Sequence, residues 1–253
     1  MSNIIITGGG GHLGKKLIKY YLKKNFKVCA LDIFSNKNEI FFKSLKKNLS
    51  FNYFFCDFSI MDEVKNISLE IKKKYKNINF IIFNAAVTGT FLSKGWNDSF
   101  KNQSIENFDY AMKVNVSSIF NFTKNIHNIL SKKNSSIVNI SSIYSKLAHE
   151  KLLYKNSNIY NPAAYGASKA ALNQLTRWLA SELSPNTRVN CILSGGIERG
   201  QNLNFKKKYV QKTLLKRMAS ENDIVNLIDF LLSKNSSYIT GQEIVIDGGY
   251  SAT

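Results

Sequence analysis

The segment Tyr165-Gly-Ala-Ser-Lys169, with the pair Ser141-Ser142 upstream, carries the clearest chemical signal in the chain. On a helix, a tyrosine and a lysine four apart lie side by side on one face. An ammonium beside a phenol favours the phenolate and lowers the tyrosine pKa. Tyr165 is therefore expected to give and take a proton near neutral pH. A serine hydroxyl on a neighbouring strand end could hold the oxygen being protonated. Tyr-x-x-x-Lys is also an ordinary pattern of amphipathic helices, so its meaning depends on the elements that position it.

The N-terminal stretch Asn3-Ile-Ile-Ile-Thr7 is a short run of β-branched residues, followed by the consecutive glycines Gly8 to Gly11 and then His12-Leu13-Gly14. Leu17, Ile18, Tyr21 and Leu22 then recur at helical spacing. This order of strand, glycine turn and helix lets main-chain N–H groups approach a pyrophosphate at a helix N-terminus. A second apolar run, Phe26 to Leu31, ends in Asp32. That acid lies roughly 20 residues past the glycines, where a ribose hydroxyl finds its acceptor. A carboxylate there repels a 2′-phosphate and no arginine follows it, so NAD(H) is expected rather than NADP(H). The bland alternative is an Asp that caps the next turn.

Hydrophobic residues make up 44% of the 253-residue chain, enough for one domain with an ample core. No apolar run approaches the roughly 20 residues of a membrane span. The first strand begins almost at Met1, which leaves no room for a leader, so a cytoplasmic location is expected. Cys29, Cys56 and Cys191 fall in predicted strands with no pairing pattern, as reduced core thiols do. The net charge of +18 suits acidic partners such as nucleic acid, a carrier protein or a phosphorylated metabolite. Lysines are nevertheless spread over nearly every predicted helix without a nucleic-acid motif. Compositional drift is the favoured reading, with a phosphorylated substrate second. His12, His127 and His149 are scattered without ligand spacing, so no metal is expected.

Strands are expected at 2–7, 26–32, 51–57, 78–84, 134–142, 187–193 and 242–247, with helices at about 14–23, 37–48, 60–75, 104–131, 162–184 and 221–234. That alternation predicts an α/β fold: a single-domain Rossmann fold, a doubly wound parallel seven-stranded sheet with helices on both faces. Residues up to about 135 would bind cofactor, and those from about 136 would supply catalysis and substrate binding. The only prolines, Pro162 and Pro185, bracket the helix of Tyr165 and Lys169. Gly8–Gly14, Asp32, Asp57, Asn84, Ser142 and Gly195-Gly196 all fall at carboxyl ends of strands, where ligands bind in such sheets.

Together these motifs resemble the short-chain dehydrogenase/reductase family, in its classical branch, over essentially the whole chain. Thr7 to Gly14 resembles the cofactor turn, with Gly8, Gly11, His12, Leu13 and Gly14 implied as contacts. Cys56-Asp57-Phe58 resembles the segment whose Asp meets adenine. Phe83-Asn84-Ala85-Ala86 matches the element ending the fourth strand, and Gly195 and Ile197 fall in a further cofactor segment. Asn115 matches the asparagine that holds a relay water, and Ser142 the catalytic serine. The resemblance thus implies Asn115, Ser142, Tyr165 and Lys169 as the catalytic set, with Tyr165 and Lys169 also touching cofactor.

Four departures stand out. His12 replaces a glycine, and Gly8, Gly11 and Gly14 suit the spacing of the extended branch. Ala86 stands where glycine is usual, and Ser194-Gly-Gly replaces Pro-Gly. The stretch from Ser142 to Tyr165 is roughly ten residues longer than usual. With Ser-Gly-Gly-Ile197 and Gly200-Gln201, that length resembles oxidoreductases of flagellin-modification and nonulosonate sugar pathways.

The implied reaction interconverts a secondary alcohol and a ketone, on a sugar phosphate or sugar nucleotide. Lys169 would lower the pKa of Tyr165 and hold the nicotinamide ribose, and Asn115 would link Lys169 to solvent. The added segment, with Tyr144, Lys146, His149, Lys151, Tyr154, Lys155 and Tyr160, would overhang the substrate mouth, either holding a phosphate and stacking on a sugar or lying as a solvated loop. Residues 194–216 are expected to form a mobile lid. The family implies a homodimer or homotetramer, through the helices near 104–131 and 162–184. Competing readings are a 3-oxoacyl carrier-protein reductase and, further off, a non-catalytic cofactor sensor or nucleic-acid binder. A sugar-nucleotide epimerase is suggested by the glycine spacing alone.

Overall fold

The computed structural model describes residues 1–88, 93–154 and 160–252, the side chain of Leu152 excepted. Strands β1 (Asn3–Thr7), β2 (Lys27–Asp32), β3 (Phe51–Phe55), β4 (Phe80–Phe83), β5 (Ser135–Ser142), β6 (Thr187–Ser194) and β7 (Glu243–Ile246) form one sheet. Its order is β3-β2-β1-β4-β5-β6-β7, and every pairing is parallel. The helices are α1 (His12–Lys23), α2 (Asn36–Leu45), α3 (Met61–Lys74), α4 (Ile105–Met112), α5 (Ser118–Ile126), α6 (Lys151–Tyr154), α7 (Ala163–Glu182), α8 (Leu203–Lys212) and α9 (Glu221–Leu232). Strand order reverses between β1 and β4, which opens the crevice where ligands of such sheets bind.

Apolar runs become strands here because both sheet faces are covered. Ile4 and Ile6 of β1 pack in one layer with Leu17 and Ile18 of α1 and Ile224 and Ile228 of α9. Ile5, between them, belongs to the opposite layer with Ile71 of α3, Phe122 of α5 and Leu172 of α7. Each such side chain is fully enclosed and contributes roughly 1.5–3 kcal/mol of burial. The start of α9 is fixed by a capping box in which Ser220 and Asp223 exchange hydrogen bonds. Arg217 clamps Asp223 through both nitrogens at 2.7 and 2.9 Å.

The structure differs from expectation at element level in three places. The helix expected over 104–131 is divided: a π turn, Lys113–Ser117, separates α4 from α5, and a 3₁₀ turn, His127–Ile129, follows. The Ser118 hydroxyl bonds back to the Val114 carbonyl at 2.7 Å inside this widened turn. A helix absent from the expected set, α8, lies in the stretch 194–216 and is capped by the Asn202 side chain on Asn204 N–H. Its pattern is weak because Tyr209 is the one residue of α8 that is buried. Cys56 lies one residue past β3 rather than in it, while Cys29 and Cys191 sit in β2 and β6. All three thiols are buried, and burial pushes their pKa values up to about 12, 12 and 11 respectively. Among the described residues no helix is long and apolar enough to cross a membrane.

The glycine turn tolerates no side chain at its closing position. A Cβ on Gly14 would lie 2.0 Å from the Gly8 carbonyl oxygen, inside the main chain itself. Gly14→Ala is expected to cost at least about 1–3 kcal/mol by overpacking. It should also displace the turn, lowering the melting temperature and weakening dinucleotide binding together in a thermal-shift titration.

Candidate active site

The glycine turn hangs between three strand ends. Gly9 N–H donates to the Leu31 carbonyl at 3.1 Å, and Gly10 N–H to Asp32 Oδ2 at 2.7 Å. From the other side, Asn84 Nδ2 donates to the carbonyls of Thr7 and Gly8 at 3.2 and 3.0 Å. The Thr7 hydroxyl accepts from Asn84 and Ala85 N–H, each at 3.0 Å. Gly8 has φ +65°, and a Cβ there would meet Ala85 N at 2.8 Å. Asn84 and Ala85 thus act on the shape of the turn through their own bonds to it, and Thr7 is a partner the sequence reading missed.

The crevice fits a dinucleotide. Gly11 caps α1 without any side-chain hydrogen bond, and the first turn of α1 holds no acid, so its N–H groups are left for an anion. His12, the first residue of α1, is exposed, while Leu13 is buried in the core. Asp32 accepts from Gly10 and Ile33 N–H, and burial raises its pKa. Asp57 Oδ1 takes both the N–H and the hydroxyl of Ser59, and Phe58 is buried in the core. Gly195 extends the end of β6 by bonding the Ile246 carbonyl at 2.9 Å, and Ile197 bridges to Ala219.

Asn115, Ser142, Tyr165 and Lys169 converge beside this crevice. Ser142 ends β5, and its hydroxyl pulls the pKa of the Tyr165 phenol down. Its Oγ also accepts from Tyr144 N–H at 3.2 Å. Ser141 instead donates to the Lys169 carbonyl at 3.2 Å, so alternation along β5 gives the paired serines separate duties. Asn115 is fully buried: its Oδ1 accepts from Val87 N–H at 2.8 Å, and its Nδ2 donates to Val87 O at 3.3 Å and Ser168 Oγ at 2.9 Å. Its amide is therefore committed to Val87 and to the neighbour of Lys169 rather than to the ammonium. Arg188 and Asn190 tie β6 to the chain around Ser233 and Ile239.

The electrostatics correct one expectation. Tyr165 has its pKa raised, not lowered, because burial of the phenol outweighs the Ser142 hydrogen bond and the Arg199 charge that pull it down. Lys169 Nζ lies 6.0 Å from the ring centroid and donates to the Ile140 carbonyl at 2.7 Å. Burial brings the pKa of this ammonium down to about 8. Arg199 was missed by the sequence reading because nothing in its spacing marks it. Its loop is shaped by Gln201, which accepts from Arg199 N–H at 2.8 Å and donates to the Ile197 carbonyl at 2.7 Å.

The described part of the added segment packs partly against α8. Tyr144 and Tyr154 join their hydroxyls at 3.0 Å, and Tyr154 packs on His149 and on Phe205 of α8. Tyr209 stacks on Tyr250 at 4.8 Å beneath them. Lys146 is paired with Glu243 at 3.0 Å, and Glu150 with Lys212. Lys151 and Tyr160 are exposed, and Lys155 lies outside the described residues. Of the expected set, Tyr144 and Tyr154 are half-buried in an aromatic cluster and Lys146 is ion-paired, while His149, Lys151 and Tyr160 lie exposed.

A lysine whose pKa is lowered in the native state binds its proton less tightly folded than unfolded. Stability should therefore rise as pH climbs from about 8 toward the ordinary lysine value of 10.5. Lys169→Met removes that contribution. Urea unfolding of cofactor-free protein at pH 7 and pH 10 should show the variant gaining less with pH than the parent, and more stable at pH 7 by up to about 3 kcal/mol.

The family model described as Enoyl-(Acyl carrier protein) reductase matches residues 13–251. Post-translational flagellin modification protein A of Campylobacter coli is 28% identical over 255 residues, covering 98% of this chain and 97% of that protein. A 3-oxoacyl-(acyl-carrier-protein) reductase of Thermotoga maritima is 29% identical over 256 residues, covering 97% and 96%. The crystal structure of a short chain dehydrogenase from Leptospira borgpetersenii with bound NAD+ superposes with a TM-score of 0.84 at 29% identity, covering 99% of this chain and 92% of that one. With that family model over residues 13–251 and a matching fold over nearly its full length, the chain belongs to the classical short-chain dehydrogenase/reductase family, oxidoreductases that act on CH–OH groups with NAD(P).

Proposed function

We propose that the protein interconverts a secondary alcohol and a ketone with NAD(H), on a sugar phosphate or sugar nucleotide destined for a surface glycan. The observation that carries this reading is the convergence of Ser142, at the end of β5, and Lys169, bonded to the Ile140 carbonyl of that strand, on the Tyr165 side of α7, beside the open N-terminus of α1. The nicotinamide, when bound, supplies or takes up the hydride. Tyr165 moves the proton at the substrate oxygen, and Ser142 steadies that oxygen. Lys169, cationic below about pH 8, supports the developing phenolate and holds the ribose. Asn115 fixes Ser168 and Val87 around them. A raised tyrosine pKa keeps the phenol protonated at neutral pH, which suits reduction of the ketone.

Asp32 at the turn supports NAD(H) over NADP(H). The Arg199 charge that acts on Tyr165, paired with Glu221 at 3.7 Å, the net charge of +18 and the similarity to the Campylobacter protein support an anionic sugar substrate. Exposed Phe120 of α5 and Trp178 of α7, with ring centroids 5.9 Å apart, support a homodimer or homotetramer built on these helices. The reading places the protein in the cytoplasm, as one domain, without nucleic-acid or membrane partners. A second reading, reduction of a 3-oxoacyl carrier protein, is favoured by the Thermotoga relative and the basic surface.

Paired calorimetric titration with NADH and NADPH should show at least roughly tenfold tighter NADH binding, from the repulsion between Asp32 and a 2′-phosphate. Tighter NADPH binding would overturn the cofactor assignment and promote the carrier-protein reading. On a panel of sugar phosphates and sugar nucleotides, Tyr165→Phe should lower kcat by about 10²–10⁴ while NADH affinity holds. Arg199→Gln removes a cation that lowers the Tyr165 pKa, so the fall of reductive rate at high pH should move to higher pH. An unmoved limb would remove Arg199 from the site.

A further inference from the structure

Glu243 is a nearly enclosed carboxylate, its side chain 9% exposed, and the reaction as described makes no use of it. It opens β7, opposite Cys191 of β6. Oε1 pairs with Arg177 of α7, and Oε2 accepts from Lys146 Nζ and from Asn173 Nδ2, each at 3.0 Å. The Asn173 amide also donates to Ser145 Oγ at 2.9 Å, and its oxygen accepts from the Cys191 thiol at 3.4 Å. Ser145 Oγ then donates to the Ser142 carbonyl at 2.6 Å. An unbroken path therefore runs from the buried carboxylate to the main chain of the serine that touches Tyr165. The same 3₁₀ turn, Ile143–Ser145, places Tyr144 N–H on Ser142 Oγ.

We propose that Glu243 is a positioning residue: through Asn173 and Ser145 it holds the turn that aims the Ser142 hydroxyl at Tyr165. The carboxylate orients Asn173 by accepting one side of its amide, which leaves the amide directed at Ser145. A charge-assisted hydrogen bond of this kind is stronger than a neutral one. The Lys146 and Arg177 partners are about half exposed, at 53% and 49%, so water solvates them if the carboxylate is lost. They neutralise Glu243, whereas Asn173 transmits its position. The consequence for catalysis rests on the role assigned to Ser142; the hold on the turn does not.

Amide hydrogen exchange across 142–147 tests this on the full chain. The amides of Tyr144, Lys146 and Leu147 bond within the turn, the last two to the Ile143 carbonyl. Glu243→Val should speed their exchange by roughly tenfold or more, the worth of a hydrogen bond to a charged group. Glu243→Gln keeps an oxygen for Asn173 and should restore most of the protection. Arg177→Gln, which leaves the path intact, should leave the turn as in the parent. Ser145→Ala cuts the last link without altering Glu243 and should loosen the turn even if the valine variant fails to fold. Unchanged exchange in Ser145→Ala, equal loosening in the valine and glutamine variants, or loosening by Arg177→Gln would each overturn the proposal. NADH affinity, titrated alongside, should be unchanged in every variant. A parent that binds no NADH would sink the cofactor reading and leave the exchange result standing.

Discussion

The ammonium of Lys169 constrains the region between β5 and α7 more than any other group. A charge in an apolar interior is costly unless a strong partner meets it. Here the side chain is 3% exposed, and the Ile140 carbonyl is its hydrogen-bond partner. That bond requires α7 to lie close against the end of β5. Ser141 reinforces the approach by bonding the lysine's own carbonyl. With helix and strand fixed at that distance, Tyr165, one turn earlier on α7, meets Ser142 at the strand terminus. The cost of burying the cation and the alignment of the reactive hydroxyls are therefore one arrangement.

The sheet and its order of elements were legible because the strands are buried on both faces and read as unbroken apolar runs. The glycine turn, Asp32 and the Ser–Tyr–Lys set were legible because their residue types are unusual at those spacings. What escaped was set by contacts distant in sequence. The π turn follows from Asn115 reaching the Val87 main chain, which no helical periodicity encodes. Helix α8 escaped because its buried side is little more than Tyr209. The direction of the Tyr165 shift escaped for a related reason: spacing brings Lys169 onto the same helix face, but only the packed interior shows how strongly the phenol is desolvated and where the ammonium bonds.

The added segment shows how a basic chain disposes of its charge. Lys146, Lys206 and Lys212 pair with Glu243, Glu198 and Glu150, so part of the excess lysine ties elements together. Surface pairs contribute little singly. Their joint effect here is to press Tyr144 and Tyr154 against Tyr209 and Tyr250. Tyr209 and Tyr250 are buried there, while Tyr144 and Tyr154 are half-buried.

The three buried thiols have a consequence for handling the molecule. A thiol with a pKa near 11 or 12 and no path to solvent reacts with neither oxidants nor alkylating reagents while the fold is closed. Cys29 and Cys56 belong to the layers around β2 and β3, and Cys191 to β6, so each thiol becomes reactive only when its own part of the sheet parts. Alkylation kinetics would then work as an internal clock of breathing, read at separate places in one molecule without adding a probe.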